Sequence, residues 1–249
     1  MFDLSSKVIV VTGGGAGIGK AISCAAAALG ATTVISDINA GTAAAVAEEL
    51  TALKLHAVAV ETDVSKSGSV ESLLNGVVKD FGKLDVMINN AGILGDAEIT
   101  NITDEDWRRL NAVNFDGVFY CCREAVRIMK QQGFGRILNI ASVGGKIAFP
   151  FAGVHYCGAK GAIMALTRQL ALQVGQYGIQ VNAIAPGATQ TEIMKHRSQE
   201  KLDYINSRIP AGRMAKPEEI AAAVVFMASD AAGFMTGETF DANGGLYMA

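Results

Sequence analysis

Cysteine, histidine and charge are all scarce in this 249-residue chain, and each shortage removes a class of function. The four cysteines, Cys24, Cys121, Cys122 and Cys157, form no C-x-x-C pair and no regular framework of spacings, which argues against a disulfide scaffold or a zinc site. Cys121 and Cys122 adjoin in a helical stretch and read as small core fillers. The three histidines, His56, His155 and His196, are scattered and include no H-E-x-x-H, so no metal is expected. Charged residues make up only 18% and the formal net charge is −3, so neither nucleic acid nor an anionic membrane is expected as a partner. Long apolar runs are missing too. The alanine-rich stretch 21–31 is too short to cross a bilayer. The opening "MFDLSSK" runs straight into a strand pattern, which predicts a chain without a cleavable leader, located in the cytoplasm.

What is present is apolar and regular. Half of the residues are hydrophobic, which excludes a disordered polymer, and the length suits one large α/β domain. β-Branched runs at 7–11, 32–36, 57–61, 86–89, 136–140, 180–185 and near 239 alternate with helical periods at 17–29, 42–53, 69–81, 103–130, 156–176 and 217–228. Thr103 with Asp106 resembles a capping box, and Pro217 suits a first helical turn. Strict alternation with near-continuous apolar strands predicts a parallel sheet covered by helices on both faces. No repeat, linker or break in composition divides residues 1–249, which read as one domain.

The stretch "VTGGGAGIG" at 11–19 follows the first strand and opens the first helix, with Gly13, Gly17 and Gly19 in a G-x-x-x-G-x-G spacing. Such a turn delivers free N–H groups and a partial positive charge, suited to a pyrophosphate. Glycines let the backbone approach phosphates with no Cβ in the way. Asp37 ends the second strand in "VISDIN", where a carboxylate would reach the ribose hydroxyls of an adenosine. A 2′-phosphate would meet like charge there, and Lys20 is the only nearby cation. NAD is therefore expected over NADP.

A second constellation lies in "HYCGAK", which sets Tyr156 and Lys160 at i, i+4 on one helix face. An ammonium ~4 Å from a phenol contributes about 4 kcal/mol at an effective dielectric of ~20. That would bring the phenol from about 10 to about 7 before desolvation pushes it partly back. Tyr156 would then exchange protons with an alcohol or ketone. Ser142 closes the strand in "ILNIAS", at the carboxyl end where parallel sheets bind ligands.

T-G-x-x-x-G-I-G at 12–19, N-N-A-G at 89–92, Asn114 in "NFDGVF", Ser142, Y-x-x-x-K at 156–160 and N-x-x-x-P-G at 182–187 occur in that order. The chain resembles the short-chain dehydrogenase/reductase family over nearly its entire length. The resemblance implies a doubly wound Rossmann-type α/β fold with seven mainly parallel strands. It implies Tyr156 as acid/base, Lys160 as pKa tuner and nicotinamide-ribose ligand, Ser142 as orienter of the substrate oxygen, and Asn114 as holder of a relay water. Gly13, Gly17, Ile18 and Gly19 would line the pyrophosphate turn, with Asp63 and Val64 at the adenine. Asn90, Ala91 and Gly92 would flank the adenosine ribose and the sheet centre, and Pro186, Gly187, Thr189 and Thr191 would hold the nicotinamide carboxamide and the phosphates. A homotetramer is implied as well.

Ser142 and Tyr156 stand one residue farther apart than in many members, Ala159 replaces a frequent serine, and "DANGG" replaces a more usual valine-aspartate-glycine-glycine. The substrate pocket would come from residues 93–96, 144–151, His155 and a covering segment near 188–213. Phe149, Phe151, Ile193 and Met194 suggest apolar walls. His155 would either touch substrate or lie exposed on its loop. The leading expectation is hydride transfer between NAD(H) and a secondary alcohol or ketone. A 3-oxoacyl carrier-protein reductase using NADPH and a catalytically silent NAD-binding sensor are the alternatives. Ser142 lacks the G-x-S-x-G elbow of a hydrolase.

Overall fold

Seven strands, all at the expected places within a residue or two, form one sheet in the order β3-β2-β1-β4-β5-β6-β7. They are β1 (Val8–Thr12), β2 (Thr32–Asp37), β3 (Ala57–Glu61), β4 (Val86–Asn89), β5 (Gly135–Ile140), β6 (Ile179–Pro186) and β7 (Thr239–Ala242). Every neighbouring pair runs parallel. This computed structural model describes residues 2–195 and 197–248, without the side chains of Ile193 and Lys195. The pocket role expected of Ile193, and His196, lie outside the described residues.

Alternate strand residues serve two cores. Val8 and Val10 of β1 point into a cluster with helices α3 (Ser67–Phe81), α5 (Gly117–Gln132) and α6 (Val154–Val174). Ile9 and Val11 point the other way, onto α1 (Gly17–Ala28) and α9 (Pro217–Ala228). Burial on both faces explains the continuous apolar runs, each such side chain contributing roughly 1.5–3 kcal/mol. β1 has β2 on one side and β4 on the other, so the chain winds outward in both directions from there. The loops after β1 and β4 therefore diverge and leave a crevice at the carboxyl end of the sheet.

Helix boundaries depart from periodicity where caps intervene. Helix α2 (Ala40–Ala52) starts before residue 42 because the Asn39 side chain accepts from Thr42 N at 3.1 Å. The Thr103–Asp106 capping box is present at α4 (Asp104–Asn111), and Pro217 occupies the first turn of α9. The single helix expected over 103–130 is interrupted: a π-helical turn, Ala112–Asp116, separates α4 from α5. At that turn Asn114 gives its side chain to another loop, and Gly117 lies under Val64, where a Cβ would come within 3.0 Å of the Val64 side chain. No helix is expected from the sequence within 188–213, yet α7 (Glu192–Lys195) and α8 (Gln199–Arg208) form there, Ser198 capping α8. Among the described residues no helix is long and apolar enough to cross a membrane, and no group of three metal-ligating side chains occurs.

Candidate functional site

The glycine turn is built around close backbone approach. Gly13 and Gly17 adopt φ of 62° and 52°, the left-handed region that glycine tolerates best. A Cβ on Gly19 would overlap the Gly13 carbonyl oxygen and sit 2.8 Å from its carbon. Asn90 staples this turn to the loop after β4, its Nδ2 donating to the carbonyls of Thr12 at 2.9 Å and Gly13 at 3.1 Å. Thr12 Oγ1 accepts from the backbone N–H groups of Asn90 and Ala91, each at 3.1 Å. Helix α1, like α3 and α6, starts with no capping side chain, so the first N–H groups after Ala16 are left open toward the turn. An uncapped helix start over a cradle that any Cβ would fill suits a dinucleotide pyrophosphate. Ile18 follows directly and packs on the α1–α9 core. The turn fits the group expected of it.

Asp37 stands at the rim of this turn. Its two carboxylate oxygens accept from Gly15 N and Asn39 N, both at 3.0 Å, which fixes the side chain and leaves lone pairs free. Lys20, the nearby cation, is turned away and bridges Glu49 at 2.7 Å. Asp63 is held in its own loop by Ser65 Oγ at 2.6 Å and Lys66 at 3.1 Å, contacts that hold its carboxyl below the usual range. Its neighbour Val64 is buried over Gly117. Thr191 meets the turn from the far side, 3.3 Å from where a Gly17 Cβ would be. Gly187 bonds to Ala242 O across β6 and β7, directly after Pro186, and Thr189 Oγ1 donates to Gly187 O at 3.1 Å.

The second cluster forms where β5 meets α6. Gly145 and Gly161 allow this contact, since a Cβ on Gly145 would lie 2.7 Å from Gly161 N. Ser142 and Tyr156 are thereby brought together, Ser142 Oγ 3.6 Å and the Tyr156 ring edge 3.8 Å from where a Gly144 Cβ would be, and Gly144 N donates to Ser142 Oγ at 3.1 Å. One turn along α6, Lys160 is buried and donates to Ile140 O at 2.7 Å. Gly92 leaves room for two more groups: its absent Cβ would touch Asn114 Oδ1 at 3.3 Å and Lys160 Nζ at 3.6 Å. Asn114 is fully buried and pins the Ile93 backbone from both ends, Oδ1 accepting at 2.8 Å and Nδ2 donating at 2.9 Å.

The electrostatics correct one expectation. Burial pushes the Tyr156 phenol up from its ordinary value, and the Ser142 hydroxyl only partly offsets it. The Lys160 ammonium donates to Ile140 O and stands 5.9 Å from the Tyr156 ring centre. Burial also pushes Lys160 itself down to about 8. Its folded value lies below the ordinary 10.5, so between the two the unfolded chain binds the extra proton and stability rises with pH. Below about 8 the buried charge opposes folding in full. In urea unfolding without added cofactor, wild type should therefore gain on Lys160→Met by up to roughly 3 kcal/mol between about pH 7.5 and about pH 10. A difference that stays flat with pH would show that the ammonium is not desolvated.

His155 is neither exposed nor on a loop. It is buried in the first turn of α6, between Gly95 and Gly153, whose backbones bond to each other at 2.7 Å. Phe149, Phe151 and Met194 pack against Ile205, Ile209 and Met214, so the 188–213 segment closes on the loop after β5. The sequence reading missed a buried polar ladder behind the site. Asn89 Nδ2 donates to Asn139 Oδ1 at 2.8 Å, Asn139 Nδ2 donates to Thr167 Oγ1 at 2.9 Å, and Thr167 Oγ1 donates to Ile163 O at 2.8 Å. Polar residues inside otherwise apolar strands were the available signal. Cys122 touches this ladder, and burial pushes its thiol up to about 12, as suits an inert core filler.

Comparison with known proteins agrees with this arrangement. A family model described as enoyl-(acyl carrier protein) reductase matches residues 13–247. An uncharacterized oxidoreductase of Thermotoga maritima is 39% identical over 249 residues, covering 98% of each chain. The meso-2,3-butanediol dehydrogenase of Serratia marcescens is 38% identical, covering 96% of this chain and 94% of its own. A 3-oxoacyl-[acyl-carrier-protein] reductase of Synechocystis is 36% identical over the full length of both. The crystal structure of a short-chain type dehydrogenase/reductase from Mycobacterium marinum superposes with a TM-score of 0.93 at 31% identity, covering 100% of this chain and 98% of that one. The chain belongs to the short-chain dehydrogenase/reductase family. As a family member it is an oxidoreductase that uses a nicotinamide cofactor and acts on small molecules.

Proposed function

We propose that this dehydrogenase/reductase interconverts a secondary alcohol and a ketone with NAD(H), through Tyr156, Ser142, Lys160 and Asn114. The observation that carries the reading is the approach of Ser142 to Tyr156 beside a buried lysine, at the end of the sheet where the uncapped glycine turn opens. When bound, the nicotinamide supplies or accepts the hydride. The substrate oxygen would sit between Ser142 and Tyr156, Ser142 orienting it and Tyr156 exchanging the proton at that oxygen. Lys160 would favour the phenolate through its nearby charge, and Asn114 would keep the loop after β4 in place through Ile93. Gly13, Gly17, Ile18, Gly19, Asn90, Ala91, Gly92, Pro186, Gly187, Thr189 and Thr191 would enclose the cofactor, with Asp63 and Val64 at the adenine.

The whole chain acts in this reading as one cofactor-binding and catalytic unit, with 188–213 over the substrate. Exposed Trp107 and Phe119, on α4 and α5, support assembly into a homotetramer.

The cofactor preference rests on Asp37, whose fixed carboxylate would repel a 2′-phosphate, while Lys20 is engaged with Glu49 instead of compensating. kcat/KM should be at least about tenfold higher with NAD than with NADP, or about 1.4 kcal/mol. Asp37→Ala should narrow that ratio, chiefly through the KM for NAD. Equal use of both cofactors by the wild-type protein would refute the preference. It would favour the second reading, a 3-oxoacyl carrier-protein reductase using NADPH, which the full-length similarity to the Synechocystis protein supports.

A further inference from the structure

The loops after β4, β5 and β6 all leave the carboxyl end of the parallel sheet, the end at which Ser142 follows β5. One side chain touches all three. Arg197, on the segment after β6, has a side chain only 9% exposed. Its Nη2 reaches the carbonyl of Phe151 on the loop after β5 at 3.3 Å, and Asp96 Oδ2 on the loop after β4 at 3.5 Å. Both contacts come from one nitrogen and both are long, since a charge-assisted bond normally closes to about 2.7–2.9 Å. Among the described residues, no contact holds this buried guanidinium at charge-assisted distance.

Arg197 shares its aromatic neighbour with a second cation. The Arg197 guanidinium lies 5.7 Å from the centre of the Phe151 ring, and the Lys201 ammonium lies 5.5 Å from the same ring. Asp96 is a carboxylate paired with Arg197, and it is more than half exposed. Lys201 and its α8 neighbours Glu200 and Asp203 all stand exposed to solvent, so the buried charge facing the aromatic wall is that of Arg197. The remaining wall is apolar: Phe149, Phe151, Met194 and Leu202. A desolvated, aromatic-backed cation with long contacts at a substrate mouth favours a planar anion presented to its fork. Asp96 at its edge disfavours a dianion such as a phosphate ester.

We propose that Arg197 recognises a carboxylate on the substrate, so that the enzyme acts on a hydroxy acid or oxo acid rather than on a simple alcohol. This rests on the proposed dehydrogenase reading for the position of the reacting hydroxyl, while the anion site itself can be measured without turnover. Butanoate, butanamide and methyl phosphate would be titrated by calorimetry into wild type and Arg197→Met, with and without saturating NAD. Butanoate should bind wild type at least tenfold more tightly than butanamide or methyl phosphate, and Arg197→Met should lose that preference. Arg197→Lys should restore part of it, because the charge returns without the fork. In parallel, kcat/KM for 3-hydroxybutanoate and for its methyl ester would be compared. Wild type should favour the acid at least tenfold, mainly through KM, and Arg197→Met should erase the ratio.

Equal binding of butanoate to wild type and Arg197→Met, or tighter binding of butanamide or methyl phosphate, would overturn the proposal whatever the turnover. Oxidation of the ester as fast as the acid would overturn it too, while leaving the dehydrogenase reading intact. Arg197-dependent butanoate binding without oxidation of any alcohol would uphold the anion site and refute the dehydrogenase reading.

Discussion

Tyr156→Phe should lower kcat by roughly 10²–10⁴-fold while leaving NAD affinity within a few-fold of wild type. The substitution deletes one oxygen. The ring stays, including its edge 3.8 Å from the position of a Gly144 Cβ, so the turn after β5 keeps its packing. What disappears is the group that lies beside Ser142 and would exchange a proton with the substrate oxygen. A substrate hydroxyl that cannot shed its proton in concert must build an alkoxide in a partly buried site, where an unpaired charge is costly. Steady-state kinetics and cofactor titration on the same preparation separate the two effects. Near-normal kcat in this variant would remove Tyr156 from the mechanism. Equal losses of kcat and NAD affinity would point instead to a collapsed fold.

Gly19→Ala should abolish measurable cofactor binding, weakening NAD affinity by at least about a hundredfold, about 2.7 kcal/mol. Its methyl group would overlap the Gly13 carbonyl oxygen and come within 2.5 Å of Asn90 Nδ2. Both are fixed, because Asn90 holds the carbonyls of Thr12 and Gly13. The turn must move, and the phosphate-facing N–H groups move with it. Gly76→Ala is the matched control: that glycine lies within α3, and nothing stands within 4 Å of its Cβ position. It should bind NAD normally and gain up to roughly 1 kcal/mol of stability from helix propensity. Undiminished NAD binding by a folded Gly19→Ala protein would show that the cofactor does not use this turn.

Strands were the most legible part of the sequence, because burial on both faces writes them as continuous apolar runs, as in "VIVVT" and the "VMI" of β4. The glycine turn and the pairing of Tyr156 with Lys160 were legible for a different reason: local spacing alone sets their geometry. What was not legible depended on contacts between distant segments. The π turn at Asn114 exists because that side chain serves the Ile93 backbone, a partner that helical periodicity does not register. Helices α7 and α8 carry a mixed polar pattern, and α8 gains its buried face only by packing Ile205 under Phe149 and Phe151. The direction of the Tyr156 shift was not legible either. Spacing set the two side chains on one face, but how far burial raises the phenol and lowers the lysine depends on the segments packed over them.

The most direct test of the central claim follows a deuterium label from the carbinol carbon of a secondary alcohol into the nicotinamide ring, with wild-type protein and saturating NAD. The proposed function predicts growth of the reduced-nicotinamide absorbance, transfer of the label to the cofactor, and loss of both in Tyr156→Phe. Across a panel of hydroxy acids, polyols and simple alcohols, no absorbance change and no label transfer with either NAD or NADP would contradict it.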